Sequence, residues 1–455
     1  MVHQYKLNGY NIVLDSCSGS IHVVDDVAYD IIAMYQDNSP EEIVEAVSEK
    51  YAGRQDVKEK DILDCIEDIK ALIAAGKLFT PDTFSEMAGT FKQRSGDVIK
   101  ALCLHVAHTC NLNCAYCFAS QGKYHGDRAL MSFEVGKQAL DFLMDHSGSR
   151  TNLEVDFFGG EPLMAMDTVK RAVEYARSIE EAHGKCFRFT ITTNGVLLDD
   201  ETIEYINREM SNAVLSLDGR KAVNDDLRPT INGKGSYDVI VPKFRKLIEG
   251  RGTKDYYLRG TFTRFHQDFA EDVKALAAIG KNISVEPVVG KETDPYALQE
   301  ADLPALKAEY ERLAEYLRDH PETNFFHFNV DLAQGPCVIK RLRGCGAGCE
   351  YVAITPEGDI YPCHQFVGNE EYKLGSLYDG SFDQALSGTF AALNIYTREE
   401  CRSCWARFYC SGGCSASNLL VNGDIKRPHR VGCELERKRL ECAIALKAIA
   451  AGMGA

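Results

Sequence analysis

The sequence lacks three features that mark membrane, secreted or nucleic-acid-binding proteins. No apolar run is long enough to span a bilayer, and the opening Met-Val-His-Gln-Tyr lacks the layout of a signal peptide. Basic residues are not in excess, since 51 Lys and Arg stand against 67 Asp and Glu, giving a formal net charge of -16. Because this negative charge would repel a phosphate backbone, we expect no binding to nucleic acid. Because a membrane span and a signal-peptide layout are not found, we expect a cytoplasmic protein that does not bind a membrane.

Cysteine, by contrast, is abundant. The chain has 17 cysteines in 455 residues, many of them at tight spacings. In a reducing compartment such spacings indicate metal binding rather than disulfides. The length leaves room for about three domains.

Three of these cysteines, Cys110, Cys114 and Cys117, directly follow the apolar run 101–107, which we predict to be a buried strand. Three thiolates satisfy three irons of a four-iron cluster and leave the fourth iron without a protein ligand. A structural zinc site or a ferredoxin cluster wants a fourth ligand, so neither fits this loop well. The spacing closely resembles that of the radical S-adenosylmethionine (SAM) enzymes, in which the open iron chelates the amino and carboxylate groups of SAM.

Predicted strands and helices alternate from about residue 100 to 300. Repeated β-α units indicate an α/β fold with a parallel sheet, and six of them predict a partial (β/α)6 barrel. In such folds the chemistry lies at the carboxyl ends of the strands. The predicted strands are 101–107, 153–158, 187–193, 214–217, 256–262 and 283–288.

Polar motifs follow these strands, and the resemblance to radical SAM enzymes assigns them to SAM binding. Gly159-Gly160-Glu161-Pro162 would receive the amino group of SAM, Ser216 would contact the ribose or carboxylate, and Arg228 or Arg259 would clamp the carboxylate. The same resemblance places Tyr116 and Glu286 among the SAM contacts, with Glu286 in the adenine pocket.

A second cysteine system occupies the last third of the chain. A cysteine, a GxxxxC segment, the block CxxCxxxxxCxxxC and one more cysteine form a pattern that resembles the seven-cysteine SPASM domain. That resemblance implies two auxiliary clusters, although CxxC with two further cysteines could also close a zinc site. The first cluster lacks a certain fourth ligand; Cys349 and Cys337 are candidates, and an open iron could instead bind a substrate thiolate. The implied ligands are Cys345, Cys363 and Cys414 for the first cluster and Cys401, Cys404, Cys410 and Cys433 for the second.

Residues 1–95 form a predicted separate domain of short strands followed by amphipathic helices. Asn8-Gly9 between alternating runs indicates a hairpin. The pattern resembles the winged-helix peptide-recognition element, in which a leader peptide adds a strand to the sheet edge beside the third helix. A dimerisation or structural cap is the alternative. The barrel would then span 96–320 and the SPASM domain 321–455.

The whole chain resembles the maturases of SCIFF peptides, which are short cysteine-rich thioether peptides of clostridia. The segments Arg343–Gly348 and Tyr361–Gly368 support this resemblance. It implies three [4Fe-4S] clusters, SAM, a leader-bearing precursor peptide as substrate, and a flavodoxin or ferredoxin reductant. One alternative is an anaerobic sulfatase maturase, which forms formylglycine but carries an acidic residue where this chain has His364. An alternative of another class is a non-catalytic iron–sulfur electron carrier.

Overall fold

The computed structural model of the protein describes residues 1–88, 98–332, 342 and 344–452. The predicted boundary near residue 95 lies outside these ranges, as do Cys337 and Arg343. Two sheets organise the chain, one of three strands and one of eleven. Every helix in the described ranges is too short or too polar to cross a bilayer.

The N-terminal region is an antiparallel sheet, β1 (Val2–Leu7), β2 (Tyr10–Asp15) and β3 (Ser20–Val24), followed by helices. The predicted hairpin turn is present, because Asn8 and Gly9 both adopt positive φ between β1 and β2. The region has its own apolar core of Val13, helix residues and Leu78. Its helices are α1 (Asp26–Met34), α2 (Pro40–Lys50), α3 (Glu59–Ala74) and α4 (Ser85–Ala88).

All six predicted strands of the central region are present, as neighbours in chain order and parallel. They are β4 (Ala101–Ala107), β5 (Asn152–Gly159), β6 (Cys186–Thr193), β7 (Asn212–Ser216), β8 (Asp255–Phe262) and β9 (Asn282–Pro287). The register pairs Ala107 with Gly159 and Ser216 with Arg259, so the motifs that follow these strands share one edge. The parallel sheet is confirmed, whereas the number of strands that curve into a barrel stays a prediction.

Helices connect these strands because each has one apolar face that packs on the sheet. The helix α5 (Phe133–His146), for example, begins at Ser132, whose side chain caps the Val135 N–H. The others are α6 (Met166–His183), α7 (Asp200–Glu209), α8 (Lys221–Leu227), α9 (Tyr237–Glu249), α10 (Phe269–Ala277) and α11 (Leu303–Asp319).

The C-terminal region is joined to the central sheet rather than set apart from it. Its strand β11 (Tyr351–Ile354) pairs in parallel with β4, the strand that leads into the three-cysteine loop. The long last helix packs against α11 and β1. The remaining elements are β10 (Asn324–Phe325), β12 (Asp359–Tyr361), β13 (Gly375–Ser376), β14 (Ser381–Phe382), α12 (Gln384–Ala392), α13 (Glu399–Arg402), α14 (Arg407–Cys410), α15 (Ser415–Asn422) and α16 (Arg430–Ala450).

Candidate functional site

The three-cysteine loop follows β4 and is fixed by backbone hydrogen bonds. The Asn113 N–H donates to the Pro229 carbonyl at 2.8 Å, and the Ala115 N–H donates to the Leu227 carbonyl at 2.9 Å. Burial, together with the charges of the other two cysteines, raises the pKa of Cys114 to about 12. The structure therefore brings the three predicted thiols together.

The Gly-Gly-Glu motif after β5 approaches this loop as closely as backbones can. A Cβ on Gly159 would lie 2.3 Å from the Ala107 carbonyl oxygen, and one on Gly160 would lie 2.2 Å from that of Thr109. Gly159 also has a φ of +129°, which side chains rarely adopt. Only glycine therefore fits at either position.

Glu161 is 1% exposed and organises the next strand end. Its carboxylate accepts hydrogen bonds from the Thr193 hydroxyl at 2.8 Å and from the Asn194 N–H at 2.8 Å. Burial raises the pKa of Glu161 to about 7, against the lowering effect of these hydrogen bonds. A carboxylate held in this way can receive an ammonium group, which would favour its charged form.

Asn194 connects the motif to the cysteines, a role that sequence reasoning missed. Its amide Nδ2 donates to Asn111 Oδ1 at 2.7 Å and lies 3.7 Å from Cys110 Sγ. The residue belongs to the Thr-Thr-Asn-Gly run after β6, so its position at a strand end was the available signal.

Asp218, which follows β7, is the second residue that sequence reasoning missed. The Tyr116 hydroxyl donates to Asp218 Oδ2 at 2.6 Å, and Arg228 Nε lies 2.9 Å from the same oxygen. Asp218 Oδ1 accepts from the Thr261 N–H at 2.9 Å. This buried carboxylate therefore joins three segments, namely the three-cysteine loop, β8 and the residues that follow α8.

The predicted SAM contacts differ in how exposed their side chains are and in which partners they already have. Arg228 has 12% of its side chain exposed and is engaged by Asp218, whereas Arg259 keeps 46% exposed. Arg259 Nη1 donates to Ser284 Oγ at 3.1 Å. Ser216, paired with Arg259, is partly exposed. Of the two arginines, Arg259 is better placed to clamp a ligand carboxylate.

Glu286 takes part in an ion network that ties β9 to α16. Its Oε2 accepts from Arg439 Nη1 at 3.1 Å, and its Oε1 lies 3.4 Å from His327 Nε2. Burial raises the pKa of Glu286, but His327, Arg439 and Arg259, in this order of effect, lower it to about 2. Its predicted place in an adenine pocket stays a prediction.

The loop after Cys117 carries unusual backbone conformations. Ser120, Gln121, Tyr124 and His125 all have φ between +48° and +64° without being glycine. Such conformations persist where the surrounding structure enforces them, and they cluster at functional sites. Gly368 permits the close approach of this loop, because a Cβ on it would lie 2.4 Å from the Tyr124 carbonyl oxygen.

The predicted ligands of the first auxiliary cluster lie together. Burial, and after it the charges of Cys414 and Cys345, raise the pKa of Cys363. Cys349 is buried, and its Sγ lies 3.4 Å from the Gly346 carbonyl oxygen. Its role as a fourth ligand stays a prediction, and Cys337 lies outside the described residues.

The predicted ligands of the second auxiliary cluster line a single cavity. Arginines beside them form a group that sequence reasoning missed. Arg407 and Arg437 also line the cavity, while Arg398, 4% exposed, acts electrostatically with Cys401, Cys410 and Cys414. Guanidinium groups oppose the negative charge that thiolates bring. The four cysteines of the cavity are Cys401, Cys404, Cys410 and Cys433.

These thiol sets fit iron–sulfur clusters in donor type and number. Burial raises the pKa of Cys110 and Cys401 to about 11 and that of Cys410 to about 12. The thiols are therefore protonated at neutral pH until a metal displaces the proton. One set has three cysteines and another has four, which are the ligand numbers of an open and a closed four-iron cluster. No three Cys, His, Asp or Glu side chains among the described residues are grouped closely enough to hold a single metal ion.

Comparison with known proteins agrees with this geometry. Residues 104–258 match the model of the radical SAM superfamily, and residues 345–405 match that of the iron-sulfur cluster-binding SPASM domain. The chain thus carries a radical SAM domain and a SPASM domain, which imply [4Fe-4S] clusters and SAM as cofactors.

Individual proteins extend the likeness. The chain is similar to the mycofactocin maturase MftC of Mycolicibacterium smegmatis, at 28% identity over 348 residues, which cover 74% of this chain and 83% of that one. The fold is similar to that of native anSMEcpe with bound AdoMet, at a TM-score of 0.63 and 19% identity, over 77% of this chain and 99% of that chain. It is also similar to Streptococcus suis SuiB bound to precursor peptide SuiA, at a TM-score of 0.54 and 18% identity, over 92% of this chain and 96% of that chain.

Proposed function

We propose that this protein is a radical SAM maturase that forms thioether crosslinks in a ribosomally made, leader-bearing, cysteine-rich peptide. It would join a cysteine sulfur to a carbon of an acceptor residue, and it would hold three [4Fe-4S] clusters. The relatives that are maturases support a peptide substrate, and the second cysteine system supports sulfur chemistry. The resemblance to SCIFF maturases supplies the thioether.

The observation that carries this proposal is the shared packing of both cysteine systems around Tyr124. Tyr124 is buried, and its pKa is raised first by burial, then by Cys103 of β4, and after it by Cys117 and Cys110 of one cysteine system and Cys363 of the other. Cys363 and Cys117 pack in one apolar cluster. A sulfur held at the first auxiliary site would therefore lie beside the place where SAM is bound.

The chain's own residues can hold each reactant of this reaction. When bound, the open cluster and SAM supply a radical that removes a hydrogen atom from carbon. The acceptor carbon loses that atom, the cysteine sulfur loses a proton, and one electron leaves as the carbon–sulfur bond forms. Cys401, Cys404, Cys410 and Cys433 would hold an acceptor for that electron, and Arg259 and Glu161 would orient SAM.

Apolar and aromatic residues would keep water from this space. The Phe118 ring lies 5.7 Å from that of His364, and the Phe158 ring lies 5.0 Å from it. The Tyr351 hydroxyl lies 3.2 Å from His364 Nδ1. Burial lowers the pKa of His364 to about 4, so the imidazole is neutral and unlike the acidic residue that a sulfatase maturase carries there.

The N-terminal sheet supports recognition of a leader peptide at one edge. Side chains on one face of β1 pack on α16, because His3 Nε2 lies 2.9 Å from Glu441 Oε1 and the Tyr5 hydroxyl donates to the Glu441 carbonyl. In the described residues β3 pairs only with β2, so its outer edge is open to a further strand. The His22 ring bonds to the Lys77 carbonyl, which places the end of α3 beside that edge.

The reaction is tested by co-expression with a small cysteine-rich reading frame next to the gene. Mass spectrometry should show a loss of two hydrogens per bridge, and fragmentation should show a cysteine joined to a second residue. A cysteine converted to formylglycine would instead establish the sulfatase-maturase alternative. Reduced protein that forms no 5′-deoxyadenosine from SAM would leave only the electron-carrier alternative.

Leader recognition has its own test. Ile73 at the end of α3 is 36% exposed, and we expect Ile73→Asp to weaken binding of the full precursor in fluorescence anisotropy. The control is Ile231→Asp, since Ile231 is 63% exposed but lies in the central region. Equal affinities of both variants and of the unchanged protein would contradict a leader site at the β3 edge.

A further inference from the structure

Arg407 lies in the second cysteine block, between Cys404 and Cys410, and lines their cavity. It is 4% exposed, which is exceptional for a residue that always carries a charge. A buried guanidinium is stable only where its N–H groups are satisfied. The partners of these groups therefore show what holds Arg407 in place.

Four of the five N–H groups face protein partners. Nη1 donates to the Arg402 carbonyl at 2.9 Å and lies 3.9 Å from Met1 Sδ. Nη2 donates to Asp82 Oδ2 at 2.9 Å and lies 3.7 Å from Cys17 Sγ. Nε, the fifth donor, is buried and has no hydrogen-bond partner in the part of the chain that the structure describes.

Asp82 fixes this guanidinium from outside the SPASM domain. It follows α3 in the chain and also accepts a hydrogen bond from the Tyr396 hydroxyl at 2.9 Å. A second contact lies close by, where the His3 ring of β1 stacks on Trp405 at a centroid distance of 3.9 Å and an angle of 4°. The N-terminal region thus packs directly on the loop that carries Cys404.

We propose that Arg407 Nε–H donates a hydrogen bond to a sulfur atom of the cluster held in this cavity, and that Asp82 positions it. The statement rests on the proposed function only in requiring that an iron–sulfur cluster occupies the cavity. Arg407 then stabilises the reduced cluster directly, since donors to cluster sulfurs and nearby positive charge raise the reduction potential, and Asp82 is the positioning residue. The N-terminal region becomes part of an electron-transfer site through Asp82.

The test uses full-length protein reconstituted anaerobically with iron and sulfide. The changes Cys110→Ala, Cys114→Ala and Cys117→Ala are included to remove the first cluster from the spectra. Redox titration followed by electron paramagnetic resonance then reports the two auxiliary clusters, and the first of them serves as an internal reference. No peptide substrate is needed, so the outcome is independent of which reaction the enzyme catalyses.

In Arg407→Gln we expect the reduction equilibrium of one auxiliary cluster to shift about tenfold toward the oxidised form, a fall of about 59 mV for one electron. We also expect loss of an exchangeable hydrogen coupled to the reduced cluster in electron–nuclear double resonance after transfer to D₂O. The control is Arg427→Gln, which removes an exposed arginine of the same domain. An unchanged potential and an unchanged hydrogen coupling in Arg407→Gln would overturn the proposal.

Two further variants keep the test decisive. If Arg407→Gln fails to retain the cluster, Arg407→Lys keeps the charge but lacks the Nε donor, and a wild-type hydrogen coupling there overturns the proposal. Asp82→Asn keeps the size of the side chain and should weaken the coupling without abolishing it. The same coupling in Asp82→Asn as in the unchanged protein would overturn the positioning role of Asp82.

Discussion

The three-cysteine loop and the second-cluster cavity hold similar thiols in different surroundings. Around the loop lie two carboxylates and an amide. Glu161 accepts from the Asn194 N–H, the Asn194 amide donates to Asn111, and Asp218 accepts from the Tyr116 hydroxyl. Around the cavity lie two arginines, Arg407 and Arg437, and two glutamates, Glu400 and Glu436, all from the C-terminal region. The loop supplies three thiols, whereas the cavity is lined by four.

This difference teaches that the number of cysteines alone does not define the chemistry of a cluster site. Three thiols beside a bonded carboxylate fit a cluster that must bind a zwitterionic ligand. Four thiols among two guanidinium groups and two carboxylates match a cluster whose irons all have protein ligands. Changing each site in turn should therefore produce different losses.

The largest effect is expected from exchanging one cysteine in each site. Cys114→Ala should abolish formation of 5′-deoxyadenosine and spare the auxiliary clusters, because an open-iron cluster cannot form on two thiols. Cys404→Ala should still cleave SAM but yield no crosslinked peptide. Chromatography of SAM products and mass spectrometry of the peptide measure both, with the exposed Cys186→Ala as control. Retained SAM cleavage in Cys114→Ala would refute the assignment of the loop.

A backbone change at the loop should act nearly as strongly. In Gly160→Ala the new Cβ would meet the Thr109 carbonyl at 2.2 Å, so the loop and the motif must move apart. A displacement of this kind should lower SAM cleavage about a hundredfold. Gly126→Ala is the matched control, because its Cβ would meet only the Lys123 carbonyl at 3.6 Å. Equal rates for the two variants would contradict close approach as the function of Gly160.

Asp218→Asn tests whether the segments around the three-cysteine loop are held together by a buried charge. It leaves Arg228 buried without its carboxylate, which costs about 3–5 kcal/mol in comparable cases. Chemical unfolding of the metal-free protein measures the free energy of unfolding. Asp226→Asn is the control, since Asp226 is 61% exposed and should change this free energy by less than about 0.5 kcal/mol. If Asp218→Asn lowered the free energy of unfolding as little as the control does, Asp218 would not stabilise the segments around the three-cysteine loop.

The smallest expected effect is that of Glu161→Gln on the free energy of unfolding, and this effect depends on pH. Its pKa of about 7 in the folded protein lies above its unfolded value, so its contribution to stability is full at low pH and is lost as pH rises through 7. From pH 5 to pH 8 the free energy of unfolding of the metal-free protein should fall by about 2 kcal/mol relative to Glu161→Gln. Parallel pH profiles of the two proteins would show that Glu161 is ionised throughout.

Much of the fold was predictable because its elements have strong local signals. The strand 101–107 was predicted to the residue, because a largely apolar run marks it. The hairpin between β1 and β2 followed from Asn8-Gly9, and both residues adopt positive φ in the structure. The end of β7 was placed one residue late, at Leu217, where apolar character continues but strand pairing stops.

The residues of the candidate site that belong to recognisable sequence motifs were predictable. Cysteine spacing and the Gly-Gly-Glu run indicated which residues converge, because parallel strands deliver the segments after them to one edge. Asp218, Asn194 and Arg407 were missed as functional residues. A lone Asp, Asn or Arg has no distinctive spacing, and its partners are distant in the sequence, as Tyr116 is from Asp218.

The sequence by itself determined the alternation of strands and helices, the three thiols of the loop and the seven of the C-terminal region, because these depend on short-range spacing. Only the tertiary structure decided that Tyr124 lies between the two cysteine systems and that Asp82 reaches Arg407 from the N-terminal region. Such contacts depend on how distant segments pack, and no local pattern records which buried charge will meet which partner.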